Sequence, residues 1–543
     1  MIENITKNNK KALIVISLTG LILYFKSLFF GFTYFDDNVL VLDNFFFLKD
    51  PSNLFKSFTM EVFHVLHSSA AYYRPILTIS YMFDAQFGSG PFVFHLSSIV
   101  VHIAVCCLLF IFLKRLKVSA STAFVLTMLY VVHPVLAQAV SWIPGRNDSL
   151  LGLFILPAFI FLIDFFEKHE LKYCLLHMVC FFLAIFTKES AVFIPVLAVF
   201  LILTLYRKGK VFEKLVTYGM GWFFILLLWF FLRSIALSGN PMQYDFSNIY
   251  SSIINNLPAV LLYLGKVLFP FNLNVLPTLQ DSTLVYGLVA LVLILIAIFS
   301  SKTKKYTLIL FGTFWFLAFL VPAFIRPDSS YVADFLEHRI YVPLMGLLIV
   351  FSEISFVKNL DLNKKLTKMV LLAIFVLLVV INFIHNGNFR DKIAFWENAV
   401  RYSPSHPLSH KNLGAMYYLD GNLGAAKIEF EKSVAINPTE AMIHNNLGLI
   451  YYREGNYEKA EEEYFRELEL YPNYDNAYMN LGLLYYLEGD KDKAAEMWLK
   501  TVQVNPDHKD ALKSLTIYYS QDKKDQAKAN YYFQEAVKRG AKF

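Results

Sequence analysis

The sequence predicts an all-α protein in two parts: a polytopic bundle of membrane helices, then an α-solenoid of repeated helix pairs. Three observations carry this. The 543 residues are 56% hydrophobic and only 17% charged, with a mean hydropathy of +0.47. A soluble protein of this length carries far more charge. Up to about residue 386 the chain consists of apolar runs of spanning length separated by short polar breaks. From about 390 onward it turns polar, and its prolines recur every 34 residues. The expected domains are a membrane domain over 1–389, a connecting helix or degenerate repeat over 390–406, and the solenoid over 407–543.

The first run follows Lys7, Lys10 and Lys11 and continues to about Phe30 with no small-residue cleavage site. It reads as an uncleaved transmembrane helix. Further runs lie near 92–113, 119–140, 150–166, 173–187, 190–206, 216–236, 284–300, 306–325, 339–357 and 368–386, giving eleven spans. A twelfth stretch, 256–271, contains Pro258, Lys266 and Pro270. Loop charge decides its status. With eleven spans and a cytoplasmic N-terminus, the inner segments are 1–11, 114–117, 167–172, 207–214, 301–305 and 358–368. They hold 19 Lys and Arg, against seven in the longer outer segments. Letting 256–271 cross would move SKTKK at 301–305 and the 358–368 loop outside, so this stretch is expected in or near the interface. An odd span count puts the solenoid on the extracytoplasmic side of the inner membrane, on the same face as the first long loop.

Composition also narrows the partners. A net charge of +6 without a basic stripe argues against nucleic acid. Cys106, Cys107, Cys174 and Cys180 all fall inside apolar runs, without metal-like spacing beside histidines, and read as buried thiols.

In the polar part, Pro404, Pro438, Pro472 and Pro506 are 34 residues apart, as are the three NLG triplets at 412–414, 446–448 and 480–482. Tyr417, Tyr451, Tyr485 and Tyr519 keep the period, as do Ala426, Ala460 and Ala494, and then Phe430, Tyr464, Trp498 and Tyr532. This is the tetratricopeptide pattern, with repeats at 407–440, 441–474, 475–508 and 509–542. Small Gly and Ala let two helices approach, and the aromatic residues fill the gap to the next pair. The last repeat has Thr516 for Gly and Lys528 for Ala, and is expected to cap the stack. Such a solenoid binds an extended peptide or a partner protein. Trp396 is expected to begin the connecting helix.

The outer loops carry little charge, but what they carry is concentrated. "TYFDDNVLVLDN" supplies Asp36 and Asp37, and "YYRPILTISYMFD" supplies Arg74. "WIPGRNDSL" supplies Arg146 and Asp148, "FTKESAVFIP" Lys188 and Glu189, and "FLEHRIYVP" Glu337, His338 and Arg339. Charge at the hydrocarbon boundary is costly, so these groups are functional candidates. Plainer roles compete: Glu337 pairing with Arg339, a simple turn at 188–189, a helix cap at 146–148, and a solvated pair at 36–37. Two carboxylates here can take a proton from an acceptor hydroxyl or hold a divalent cation, Mg²⁺ or Mn²⁺, against a phosphate. Arg and Lys suit the phosphate itself. A polyprenyl-phosphate sugar meets all of this: its tail stays in the bilayer, its phosphate sits at the interface and its sugar reaches the loops. Phosphate leaves with little acid assistance, so a base is the main demand.

These motifs, in this order and followed by the repeats, resemble the transmembrane-and-tetratricopeptide-repeat O-mannosyltransferases and their bacterial relatives. More broadly they resemble the GT-C glycosyltransferases that include the protein O-mannosyltransferases. The resemblance covers nearly the whole chain. It implies inverting transfer from a polyprenyl-phosphate sugar to hydroxyls of exported proteins, with mannose a candidate sugar. It implies Asp36 as base with Asp37 in support, or the pair as a metal site. It implies Arg74, Arg146, Lys188 and Arg339 at the donor phosphate, with Asp148, Glu189, Glu337 and His338 supporting. Two positions depart from the pattern. The second loop reads Gly-Arg-Asn-Asp where relatives often have Ala after Arg, and the acidic pair is Asp-Asp where many protein mannosyltransferases have Asp-Glu. Both leave the sugar open.

Two other functions compete. A transporter of lipid-linked sugars predicts charges buried mid-span and inverted repeats, whereas Lys26 and Asp164 both lie near span ends. A non-catalytic membrane-anchored scaffold for envelope assembly leaves the clustered outer charges unexplained.

Overall fold

The computed structural model describes residues 8–66, 72–206, 211–238, 246–325 and 333–543, with side chains from 215 and 248 onward in the helices that begin at Val211 and Phe246. The topology segments 1–7, 207–210 and 326–332 therefore lie outside the described residues. Among those described, every regular element is helical. The chain divides into two compact units, Met1–Ser403 and Pro404–Phe543.

The first unit is a multi-pass membrane protein. Seven of its helices are long and apolar enough to cross: Asn9–Phe29, Pro91–Arg115, Ile143–Lys168, Leu215–Ala236, Asn248–Leu268, Tyr306–Phe324 and Lys365–Phe389. The pair Ala120–Val132 and Pro134–Ser141 forms an eighth candidate, bent by 55°. Pro134 explains the bend, because it has no N–H to continue the ladder and pushes His133 into an extended conformation. The His133 ring caps the restart, Nδ1 accepting from Val135 N. Leu171–Ile185, Glu189–Leu205 and Val285–Ser300 are shorter apolar helices.

Length and composition alone would let Asn248–Leu268 cross, yet both its ends meet the same end of one helix hairpin. Tyr306–Leu320 and Tyr341–Ser352 pack antiparallel, Trp315 Nε1 donating to Val342 O over 2.9 Å. A Cβ on Gly346 would sit 2.8 Å from Phe316 N, so the pair needs glycine there. Ser252 and Asn256 both donate to Phe324 O, where the first helix of this hairpin ends. Lys266 reaches Glu337, just before the second helix begins. The segment is broken at Pro258 and is tied through these side chains to the Phe324–Glu337 end of the hairpin.

The second unit contains four helix pairs: Pro407–Leu419 with Leu423–Ile436, Ile443–Arg453 with Tyr457–Leu470, Asp475–Glu488 with Lys491–Val504, and Lys509–Ile517 with Gln526–Lys538. The turns repeat because their residues do. Gly421, Gly455 and Gly489 hold φ of +79°, +78° and +90°, a conformation glycine adopts without penalty. The following Asn422, Asn456 and Asp490 cap the second helix, accepting from Ala425, Lys459 and Lys493 N. Each aromatic lies on the glycine of its own repeat, Phe430 on Gly414, Tyr464 on Gly448 and Trp498 on Gly482. A Cβ at Gly448 would lie 2.5 Å from the Tyr464 ring. Gly448→Ala should therefore destabilise this pair by about 1–3 kcal/mol, read as faster amide exchange across 443–470. Gly424→Ala, where a Cβ meets nothing within 4 Å, should leave exchange unchanged.

Two expectations shift. In the last repeat a π-turn at Tyr518–Asp522 inserts a residue, so Ala529 rather than Lys528 fills the small slot, 1% exposed. The connecting helix, Lys392–Tyr402, falls within the membrane unit rather than forming a separate segment over 390–406. Its Asn398 Oδ1 accepts from Val275 N, and the neighbouring Ser403 Oγ donates to Leu276 O.

Candidate active site

The Asp36–Asp37 loop is shaped by Asp37 and Phe35. Asp37 is buried, and its carboxylate accepts from Thr33 N (2.6 Å), Thr33 Oγ1 (2.9 Å) and Phe35 N (3.2 Å). This folds the chain back on itself, with Tyr34 at φ +56° and Asp36 at φ +65°. A non-glycine residue held there costs energy and persists only where its surroundings enforce it. Phe35 provides that enforcement. It stacks on Trp142 (centroids 5.4 Å apart), meets Trp396 edge-on at 5.3 Å and touches Phe395, while Trp142 Nε1 donates to Phe35 O over 3.0 Å. The expected start of the connecting helix at Trp396 is thus a brace for this loop.

Asp36 is left over. It is half-buried, and among the described residues its carboxylate accepts no hydrogen bond. Burial, then the charges of Asp37 and Asp334, push its pKa up to about 7 against the opposing pull of Arg74 and Arg339. Burial raises Asp37 to about 6, with Thr33 and Phe35 limiting the rise.

The cations come from three other loops. Arg74 precedes the helix Pro75–Ala85 and lies over the Tyr72 ring at 4.5 Å. Its Nη2 is 3.4 Å from Glu189 Oε2, and with the Asn147 amide oriented to satisfy both its ends, Nη1 donates to the Asn147 oxygen at 3.0 Å. Arg74 Nε is buried and has no partner. Lys188 Nζ donates to both Asp148 oxygens at 2.8 Å, and burial pulls its pKa below the ordinary value. Arg339 pairs with Asp334 Oδ1 at 3.0 Å and donates to Asp334 O at 2.8 Å. His338 donates from its backbone N to Gln138 Oε1 and lies in the field of Lys188, Arg339 and Arg74. The loops around 36, 74, 148, 188 and 338 therefore converge on one charged cluster.

Two expected members do not join it as read from sequence. Arg146 is 1% exposed, and its donors are used internally: by Asp84 Oδ2 at 2.5 Å, Ser98 Oγ at 3.0 Å and Phe94 O. Through these three contacts it braces the first loop. Glu337 faces away from Arg339. It accepts from Lys266 (2.5 Å), His385 (2.7 Å) and Asn274 N (2.8 Å), and Asp334 takes the role of orienting Arg339. Asp84, Asp334, Lys266, His385 and Gln138 were not singled out as functional from sequence. Asp84 stands at the end of the quoted first-loop motif. The others pair mostly across long separations (71 residues for Lys266 with Glu337, 200 for Gln138 with His338) that leave no local signal.

The residues present do not fit a two-carboxylate cation site. Both Asp37 oxygens are committed to its own loop, and among the described residues no three His, Cys, Asp or Glu side chains converge as a metal site.

The family model described as "Tetratricopeptide repeat" matches residues 439–504. The chain is similar to "Protein O-mannosyl-transferase TMTC3" of Mus musculus, 30% identical over 160 residues that cover 28% of this chain and 17% of that protein. It is also similar to "Protein O-mannosyl-transferase tmtc2" of Xenopus laevis, 32% identical over 145 residues, covering 26% and 17%. The chain thus spans only 17% of the length of these curated relatives. Among solved structures it is similar to a crystal structure of MamA, 27% identical, covering 28% of this chain and 90% of that one at a TM-score of 0.25.

Proposed function

We propose that the membrane unit is a glycosyltransferase of GT-C type that moves a sugar, mannose in the simplest reading, from polyprenyl phosphate to Ser or Thr hydroxyls of exported proteins. The observation that carries this is Asp36. Its carboxylate is unpaired, half-buried and pushed up to about 7, beside Arg74 and Arg339. The names of the similar proteins point the same way.

In this reaction Arg74, Arg339 and Lys188 hold the donor phosphate. Each is already oriented by a carboxylate (Glu189, Asp334 and Asp148). The acceptor hydroxyl approaches the anomeric carbon opposite the phosphate, and its proton passes to Asp36. The new carbon–oxygen bond forms as the bond to phosphate breaks. The electron pair leaves on polyprenyl phosphate, stabilised by the three cations, and the anomeric configuration inverts. The site loops and the repeats face the extracytoplasmic side of the inner membrane, the N-terminus lies in the cytoplasm, and the repeats bind the acceptor protein.

The test is transfer by the purified full chain from radiolabelled mannosyl polyprenyl phosphate to a Ser/Thr-rich secreted peptide. Absence of transfer from this and other polyprenyl-phosphate sugars would overturn the reading. The pH profile is a sharper check. Asp36 must be ionised to act as base, so the rate should rise with pH, bend near 7 and then level off. A profile flat between pH 5 and 8, on a scale of about three pH units, would remove Asp36 from the base role. A reporter fused after Phe543 that proved cytoplasmic would overturn the orientation.

A further inference from the structure

We infer that His338 Nε2 and Asp148 Oδ2 form a two-acceptor notch that recognises a hydroxyl of the transferred sugar, with Gln138 as the positioning residue that selects the accepting nitrogen. The inference rests on the glycosyltransferase reading above and adds the group that would read the sugar.

The network determines the His338 tautomer. Gln138 is fully buried, and its Nε2 donates to Val275 O over 2.8 Å. A carbonyl cannot face a carbonyl, so the amide cannot be flipped and Oε1 must point at His338. That oxygen faces two nitrogens, the His338 backbone N at 3.0 Å and Nδ1 at 3.2 Å. Oε1 accepts only, so Nδ1 carries the hydrogen. Burial and the nearby Lys188, Arg339 and Arg74 charges hold His338 well below the ordinary imidazole range, which keeps the ring neutral. Nε2 is then a lone pair, fixed in direction by Gln138 and flanked by the Trp142 ring at 5.2 Å.

Nε2 stands 3.6 Å from Asp148 Oδ2, too far for a hydrogen bond. Both atoms are acceptors with no proton between them. Asp148 is itself fixed, holding Lys188 Nζ at 2.8 Å from each oxygen. Two fixed acceptors converging in this way call for one O–H donor. Phosphate has no donor to offer when ionised, and the isoprenoid tail has none. The acceptor hydroxyl belongs at Asp36. Because the notch shares Asp148 with a phosphate-binding lysine, the group placed there is next to the phosphate, where the sugar sits. A sugar lacking that hydroxyl would leave His338 Nε2 facing Asp148 Oδ2 with no donor between them, which is how a polar site rejects an analogue.

The experiment compares mannosyl polyprenyl phosphate with its monodeoxy series on the full chain. In the wild type, one analogue should lose about 10- to 100-fold in kcat/KM relative to the others. In His338→Ala that selective loss should largely disappear, while the penalties for the other analogues stay. Gln138→Leu should weaken the same selectivity. A flat deoxy series in the wild type, or an undiminished selective loss in His338→Ala, overturns the notch. Because either variant can fail to fold, ¹⁵N-histidine NMR of the wild type provides a second reading. His338 should show an unprotonated Nε2 whose resonance moves with the mannosyl donor and not with the discriminated analogue. A protonated Nε2 overturns the inference. If the wild type transfers mannose but treats all analogues alike, the notch fails alone. If it transfers no sugar, the glycosyltransferase reading fails with it.

Discussion

Asp36→Asn should cut transfer by about 10²–10⁴-fold while changing the donor KM little, because the cations that hold the phosphate stay in place. The same change should stabilise the protein at pH 8. The pKa of Asp36 is raised in the folded state from 3.8 to about 7. A raised acid contributes stability that is fully present below the unfolded value, near pH 4, and lost as pH rises through 7. Asparagine has no ionised form to accommodate, so the variant should gain on the wild type between pH 4 and 8. The gain is on the order of 1–2 kcal/mol once partial exposure is discounted. Thermal unfolding in detergent at pH 5 and pH 8 checks this. Equal midpoints for the two proteins at pH 8, or transfer surviving in the variant, would reject the assignment. Asp37→Ala should behave oppositely at pH 8. It releases three hydrogen bonds that shape the loop, so stability and activity should fall together.

Glu337→Ala should be among the most damaging single changes in the membrane unit. Glu337 is fully buried, and it is the partner of Lys266 and His385, which are 1% and 4% exposed. Removing it leaves a buried ammonium uncompensated, at a cost of about 3–5 kcal/mol. The measurement is the fraction of protein that stays folded in detergent on heating. The double change Glu337→Leu with Lys266→Met should recover much of the loss, because an apolar pair of similar volume is often no less stable than a buried ion pair. Without that recovery, the damage would come from the lost Asn274 contact or from packing instead of charge.

Periodic and compositional features were legible in the sequence, because a repeat or an apolar run is a local property. The 34-residue spacing located every helix pair in the solenoid, and it carried the turn glycines and the Asn or Asp caps with it. It slipped only where the π-turn at Tyr518–Asp522 added a residue, a backbone event that spacing cannot register. The apolar runs marked the membrane helices, but run length could not tell how Asn248–Leu268 is tied to the neighbouring hairpin. That depended on Ser252, Asn256 and Lys266 finding partners at Phe324 and Glu337.

At the candidate site, sequence nominated ten ionisable residues on one side of the membrane, and the fold assigned their partners. Lys188 and Asp148, drawn from different loops, pair with each other, and Arg74 pairs with Glu189. The adjacent Glu337 and Arg339, which look like a natural pair, turn to opposite neighbours. Arg146 resembles its neighbours in the sequence, yet Asp84, 62 residues away, takes it inward. What the sequence determined by itself was therefore the inventory: which segments are apolar, which repeat, and which loops carry charge. Only the tertiary structure decided that Asp37 is spent on its own loop while Asp36 is left unpaired, and that Gln138 orients His338. A carboxylate, amide or imidazole acquires its role from the partner that reaches it, and those partners arrive from elements far apart along the chain.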